Sequence, residues 1–228
     1  MAGSPEAYEA PTLQSAFDQA GRNVGALAVV TGVTVVLAVI SALIYFFLYL
    51  GVAMVAGEEH ATLGSLFARL LGEAGKLPFT ILVNFFGVMI AAIPAIYFAT
   101  GEPLTVQGAF AHLFARPWRY LLAGLLFAVV SGFGFVLCIL PGIVVGLTYP
   151  IFVNRIFTTD EPIVDAFTGS FQALYGQEKT WSYIGMQVLV FLIVLVISTC
   201  TCGLGALVAA PVSCFYLQNA AYRWGLIS

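Results

Sequence analysis

The side chains able to do chemistry in this 228-residue chain are few and far apart: four cysteines, two histidines and eleven carboxylates. Cys200-x-Cys202 lies in the uncharged stretch STCTCGLG, and Cys138 lies in LCILPG. Zinc sites are built from C-x-x-C pairs, or from cysteines joined by histidines or carboxylates. None of these surrounds Cys138, Cys200, Cys202 or Cys214 in the sequence, so no metal is expected. Two readings stay open for Cys138, Cys200 and Cys202. They would form a disulfide on an oxidising side of a membrane, or serve as small packing residues at tight turns, the commoner role for buried cysteine.

Catalytic constellations are missing by motif. His60 and His112 are widely separated, and Glu58-Glu59-His60 reads as a solvated loop. Asp160, Glu161 and Asp165 cluster where a helix starts, and acids there favour the positive end of the helix dipole. No phosphate-cradling loop, H-E-x-x-H or G-x-S-x-G occurs. The expectation is a protein that is not an enzyme and needs no cofactor.

In the long apolar runs the notable polar groups are Asn84 and Gln187, which would either hydrogen-bond between helices or line a substrate site. Gly142 and Gly146 form a small-xxx-small pair suited to close helix approach. Pro94, Pro141, Pro150 and Pro211 interrupt apolar runs, a feature shared by transport sites and by ordinary packed membrane helices.

Composition says what must position these groups. Hydrophobic residues make up 61% of the chain and charged residues 8%, against about 25% charged in soluble domains. With a mean hydropathy of +1.01, most of the surface must face lipid. The net charge of -3, with Lys and Arg scattered singly, excludes a nucleic-acid partner. The polar start, residues 1–11, reads as a flexible tail with no cleaved signal, followed by a single polytopic domain over 12–228.

Charge-free intervals divide that domain: 23–57, 77–101, 120–154 and 180–222. About 20 apolar residues cross the hydrocarbon core. The second interval gives one crossing, and the fourth gives two, with a turn at Gly203-Leu204-Gly205. The third breaks at Leu140-Pro141-Gly142 into arms at roughly 118–138 and 142–157, the second short enough to be re-entrant. The first interval is one long helix or two short ones. One crossing there puts six of the eight cations on one side, which the positive-inside rule makes cytoplasmic. The resulting fold class is all-α, with about six transmembrane helices and both termini cytoplasmic. Trp118, Trp181 and Trp224 then act as interface anchors.

Four stretches repeat: TLQSAF from Thr12, TLGSLF from Thr62, TVQGAF from Thr105 and PIVDAF from Pro162. Each opens an amphipathic helix of the kind that lies in the interface, with Thr12, Thr62 and Thr105 as N-caps and Pro162 in a first turn. The last two units continue as Trp-x-Tyr, crossing, turn and crossing, a tandem pair of helical hairpins.

From Leu137 onward LCILPGIVVGLTYPIFV, EPIVDAFTGSFQALYGQEKTWSYIG and CGLGALVAAPVSCFYLQNAAYRW resemble a group of bacterial polytopic membrane proteins. That group includes the membrane domain attached to some glycerophosphoryl diester phosphodiesterases. The resemblance implies a helical membrane bundle in the bacterial inner membrane. It does not carry over the phosphodiesterase activity, which belongs to a separate soluble barrel. The functional expectation is an accessory or scaffold subunit whose partners are lipid, other membrane subunits or a second copy. The alternative is a permease or lipid transporter with no charged relay.

Overall fold

The computed structural model describes residues 11–56, 61–176 and 180–227, and among these all regular structure is helical. The Glu58-Glu59-His60 loop, Lys179 and all but the last residue of the 1–11 tail lie outside the described residues, as do the side chains of Thr62 and Leu63. Ten helices follow in order: α1 (Leu13–Arg22), α2 (Val24–Ala56), α3 (Ala61–Thr100), α4 (Val106–Ala115) and α5 (Pro117–Leu137). Then come α6 (Ile139–Leu147), α7 (Tyr149–Thr158), α8 (Ile163–Tyr175), α9 (Thr180–Cys200) and α10 (Ala206–Arg223). Four of them, α2, α3, α5 and α9, are long and apolar enough to cross a bilayer, and α6 with α7 makes a fifth if the bent pair counts as one span. This is a multi-pass helical membrane protein.

The first apolar interval is one helix of 33 residues, the single crossing that the charge asymmetry favours. Two sequence expectations change. The amphipathic segment from Thr62 is not a separate interfacial helix, because it runs unbroken into the next span as the 40-residue α3. The helix runs without a break through Gly72, Gly75 and Pro78, and through Pro94 further on. The third interval does not turn at Leu140-Pro141-Gly142. It turns two residues earlier, at Cys138, whose backbone is extended (φ -170, ψ 147). Pro141 falls in the first turn of α6, where no helical partner for its missing N–H exists anyway.

The chain forms two compact units: Val30–Gly87, and the remainder. In Val30–Gly87, α2 and α3 run antiparallel on small and apolar contacts. Gly72 faces the Tyr45 ring, and Gly75 faces Leu48. The polar contacts there are sparse: Ser41 and Thr80 hydroxyls 3.4 Å apart, a Glu73–Lys76 pair at 2.9 Å, and the Lys76 ammonium 4.9 Å from the Tyr45 ring centre.

The larger unit is built from hairpins. Gly134 of α5 meets α6 so closely that a Cβ there would sit 2.8 Å from the Gly142 backbone nitrogen, and a Cβ on Gly142 would strike the Phe135 ring. Gly146, four residues on, has open space beside it and makes no such contact. α8 folds back along α7, with Phe167 against Phe152 (5.6 Å, edge to face) and Ala166, Ser170 and Leu174 buried. Its apolar stripe is therefore covered by protein. α1 is capped by Thr12 in a reciprocal box with Ser15 and packs on α10. It buries Ala16, Gln19 and Ala20 and leaves Leu13 and Phe17 exposed. α4 is capped by Thr105, whose hydroxyl accepts from the Gly108 N–H at 3.0 Å.

The link between α9 and α10 answers what STCTCGLG is. The Gly203 N–H reaches the Ser198 carbonyl at 2.7 Å and the Cys202 N–H reaches Thr199 at 3.4 Å. These are the two bonds of a Schellman helix end. Cys202 fills the left-handed position with φ 51, where glycine is usual.

Candidate functional site: a broken helix and its supports

The chain's most polar interior surrounds the break between α6 and α7. Their axes bend by 40° at Thr148, which is fully buried and whose hydroxyl donates to the Val145 carbonyl at 2.7 Å. The cause is local. Pro150, the second residue of α7, has no N–H to offer the Gly146 carbonyl four residues back. A break inside an apolar bundle leaves carbonyls without helical donors, and in the absence of water each needs another partner.

Three helices bring side-chain donors to carbonyls on either side of the break. The Tyr175 hydroxyl of α8 donates to the Val144 carbonyl at 2.8 Å. The Gln187 amide of α9 donates to Leu147 at 3.0 Å, and the Gln218 amide of α10 donates to Pro150 at 2.7 Å. The accepting residues are spaced by three along the bend, so the supports climb it like rungs. Gln218 also accepts from the buried Asn154 amide at 3.3 Å, and Asn154 donates to the Tyr222 hydroxyl at 3.2 Å. Thr158 closes the group, its hydroxyl donating to the Asn154 carbonyl at 2.8 Å with Asn154 Oδ1 3.2 Å away. One oxygen is left over, because Gln187 Oε1 is buried with no partner among the described residues.

One end of the same unit carries its charges. Arg116 pairs with Asp160, and Arg119 donates to the Thr159 carbonyl at 3.0 Å, capping the end of α7. The hydrogen bond from Arg116, and then its charge, hold the Asp160 carboxyl below its usual range, and the same pairing raises Arg116. Arg155 pairs with Glu161 at 3.1 Å.

The residues singled out by sequence fall in different places. Gln187 is at the break. Asn84 is exposed on α3. Cys138, Cys200 and Cys202 are free thiols at exposed turns, and Cys214 is free within α10. Gly142 is in the tight α5–α6 contact. Trp118 and Trp181 project outward from the second residues of α5 and α9, and Trp224 packs edge to face on Tyr183 at 5.5 Å. Sequence reasoning missed Tyr175, Asn154 and Gln218. Asn154 and Gln218 sit close in sequence to the charged Arg155 and Arg223, at the ends of their apolar runs. The usable signal was the presence of amides on runs facing the Pro150 break.

No group of three metal-ligating side chains comes together among the described residues. Compared with protein-family models, curated proteins and solved structures, the chain finds no match.

Proposed function

We propose that the protein is a non-enzymatic accessory or scaffold subunit of a bacterial inner-membrane assembly. The observation that carries this reading is the fate of the carbonyls at the α6–α7 break. In transporters, unwound backbone at such a break coordinates ions or substrate. Here Val144, Leu147 and Pro150 spend their carbonyls on Tyr175, Gln187 and Gln218, so the break is filled by the protein itself. No Asp, Glu, Lys or Arg lies along α5, α6, α9 or the apolar part of α3 beyond Lys76, apart from Arg119 at the mouth of α5, and proton- or ion-coupled carriers depend on such residues.

The proposed topology counts α10 as a sixth crossing. The start of α5, the end of α7, the start of α9 and the end of α10 would face the cytoplasm with both termini. Support comes from Arg116, Arg119, Arg155 and Arg223 and from the three tryptophans at those helix ends. The resemblance to the membrane domain of glycerophosphoryl diester phosphodiesterases is consistent with a bundle that serves another component.

The test is native mass spectrometry of the protein extracted from its own membrane in mild detergent. A stoichiometric partner protein is the expected result. A bare chain that conducts a solute when reconstituted in liposomes would replace this reading with the permease.

A further inference from the structure

A cavity of about 320 Å³ opens among Asn154, Arg155, Thr159, Glu161, Gly169 and Gln172, with Ala173 and the turn Gly225-Leu226-Ile227 behind them. That volume is at the small end of ligand pockets, roughly 300–1,000 Å³. We propose that it binds the headgroup of a phospholipid that carries both a phosphate and a primary ammonium.

The walls specify the chemistry. Arg155 is only 27% exposed in its side chain, and its Nη1 engages Glu161 at 3.1 Å. A guanidinium has five N–H donors in a planar fork, so most of the fork is left to meet a phosphate, the oxyanion geometry it matches best. The guanidinium lies close against α8 because residue 169 is glycine: a Cβ there would collide with Nη1. Glu161 is 41% exposed and, among the described lining residues, is the one negative charge beside the one positive charge of Arg155. An anionic headgroup satisfies only the first of these, and a trimethylated ammonium cannot donate to the second. A headgroup with phosphate and –NH₃⁺ satisfies both, by exchanging the Arg155–Glu161 pair for two pairs with the ligand. Gln172 is exposed on the rim, and its amide is available to a phosphate oxygen.

Depth agrees with chemistry. Trp224 immediately precedes the Gly225–Ile227 wall and packs on Tyr183 of α9, two residues from the outward-pointing Trp181. Tryptophans of this kind sit at headgroup level. Ala173 and the buried Leu226 and Ile227 close the back of the cavity. The inference does not depend on a protein partner, so loss of the scaffold reading would leave it standing.

The protein in nanodiscs of equal parts phosphatidylethanolamine, phosphatidylcholine and phosphatidylglycerol, released into native mass spectrometry, tests it. The expected result is retained phosphatidylethanolamine, about tenfold over the other two. Arg155→Gln should lose retention of all three by a similar factor. Glu161→Gln should keep phospholipid but lose the preference for the primary amine over its trimethyl form. Gln172→Ala, at an exposed position that leaves folding intact, should weaken retention about threefold and serves if Arg155→Gln does not fold. Equal retention of the three lipids, or retention unchanged in both Arg155→Gln and Gln172→Ala, overturns the proposal. So does protection of the protein against thermal unfolding by millimolar inorganic phosphate to the same extent as by the lipid.

Discussion

The α2–α3 hairpin and the α6–α7 bend solve the same problem, holding helices together in lipid, by opposite means. Within Val30–Gly87 two unbroken helices pair through glycines and apolar side chains, with a 3.4 Å hydroxyl contact between Ser41 and Thr80 and the Lys76 ammonium over the Tyr45 ring as polar links. Around the bend a broken helix is held by amide and phenol donors from three different helices. The difference follows from the backbone. An intact helix satisfies its own N–H and C=O groups, so its neighbours need only fit. A broken one exports its unmet carbonyls to the neighbours, which must then carry polar side chains into the interior.

Polar deletions should therefore be costly at the bend and mild in the hairpin. Gln218→Leu removes the donor to Pro150 and the acceptor for Asn154 together. It should destabilise by about 2–3 kcal/mol, as expected for stranding buried polar groups. Ser41→Ala should remain near ~0.5 kcal/mol, typical of interhelical hydrogen bonds in membranes. Equilibrium unfolding in mixed micelles measures both, and equal effects would erase the contrast.

Close packing should show a smaller contrast in the same assay. Gly134→Ala drives a methyl into the Gly142 backbone, which has no rotamer to yield, and should destabilise by about 1–3 kcal/mol. Gly72→Ala presses on the Tyr45 ring, a side chain that is able to turn aside, and should stay below about 1 kcal/mol.

Gln187→Leu sharpens the picture of the bend itself. It strands the Leu147 carbonyl but also removes the unpartnered Gln187 Oε1, so the net loss should be near 1 kcal/mol, below that of Gln218→Leu. The turn of STCTCGLG should respond in the other direction. Cys202→Gly relieves a left-handed residue (φ 51) and should stabilise by about 0.5–1 kcal/mol.

The smallest effect is at the surface. Because Arg116 holds the Asp160 carboxyl below its usual range, the pairing contributes at neutral pH. That contribution is lost as pH falls from about 4, the ordinary aspartate value, through the lowered native one. Asp160→Asn should flatten that acid limb of the stability profile and leave the rest alone.

Much of the helical architecture was legible because apolar run length and charge spacing report lipid exposure directly. The spans α2, α5 and α9 fall where the charge-free intervals put them, and Thr12 and Thr105 cap the helices that follow them. What was not legible depends on neighbours. Pro141 looks like a stronger break than Cys138, but it falls in the first turn of α6, where its missing N–H has no helical partner, and the backbone turns at Cys138 instead. Asn84 and Gln187 look alike in sequence, yet one is exposed and the other supports a carbonyl 40 positions away. Tyr175 was hidden by its place at the end of a helix whose repeat suggested an interfacial position. α8 instead turns its stripe onto α7 and carries Tyr175 to the bend.

The sealed bend is tested most directly by solvent access at Thr148. In a chain with its four native cysteines changed to alanine, Thr148→Cys would be exposed to a membrane-impermeant maleimide in intact liposomes, with Trp118→Cys as the accessible control. Thr148 is fully buried beneath the supports from α8, α9 and α10, so the expected result is no labelling at 148 under conditions that label 118 to completion. Labelling at 148 from the aqueous phase would mean that water reaches the broken backbone, and the bend would then be part of a pathway rather than a packed joint.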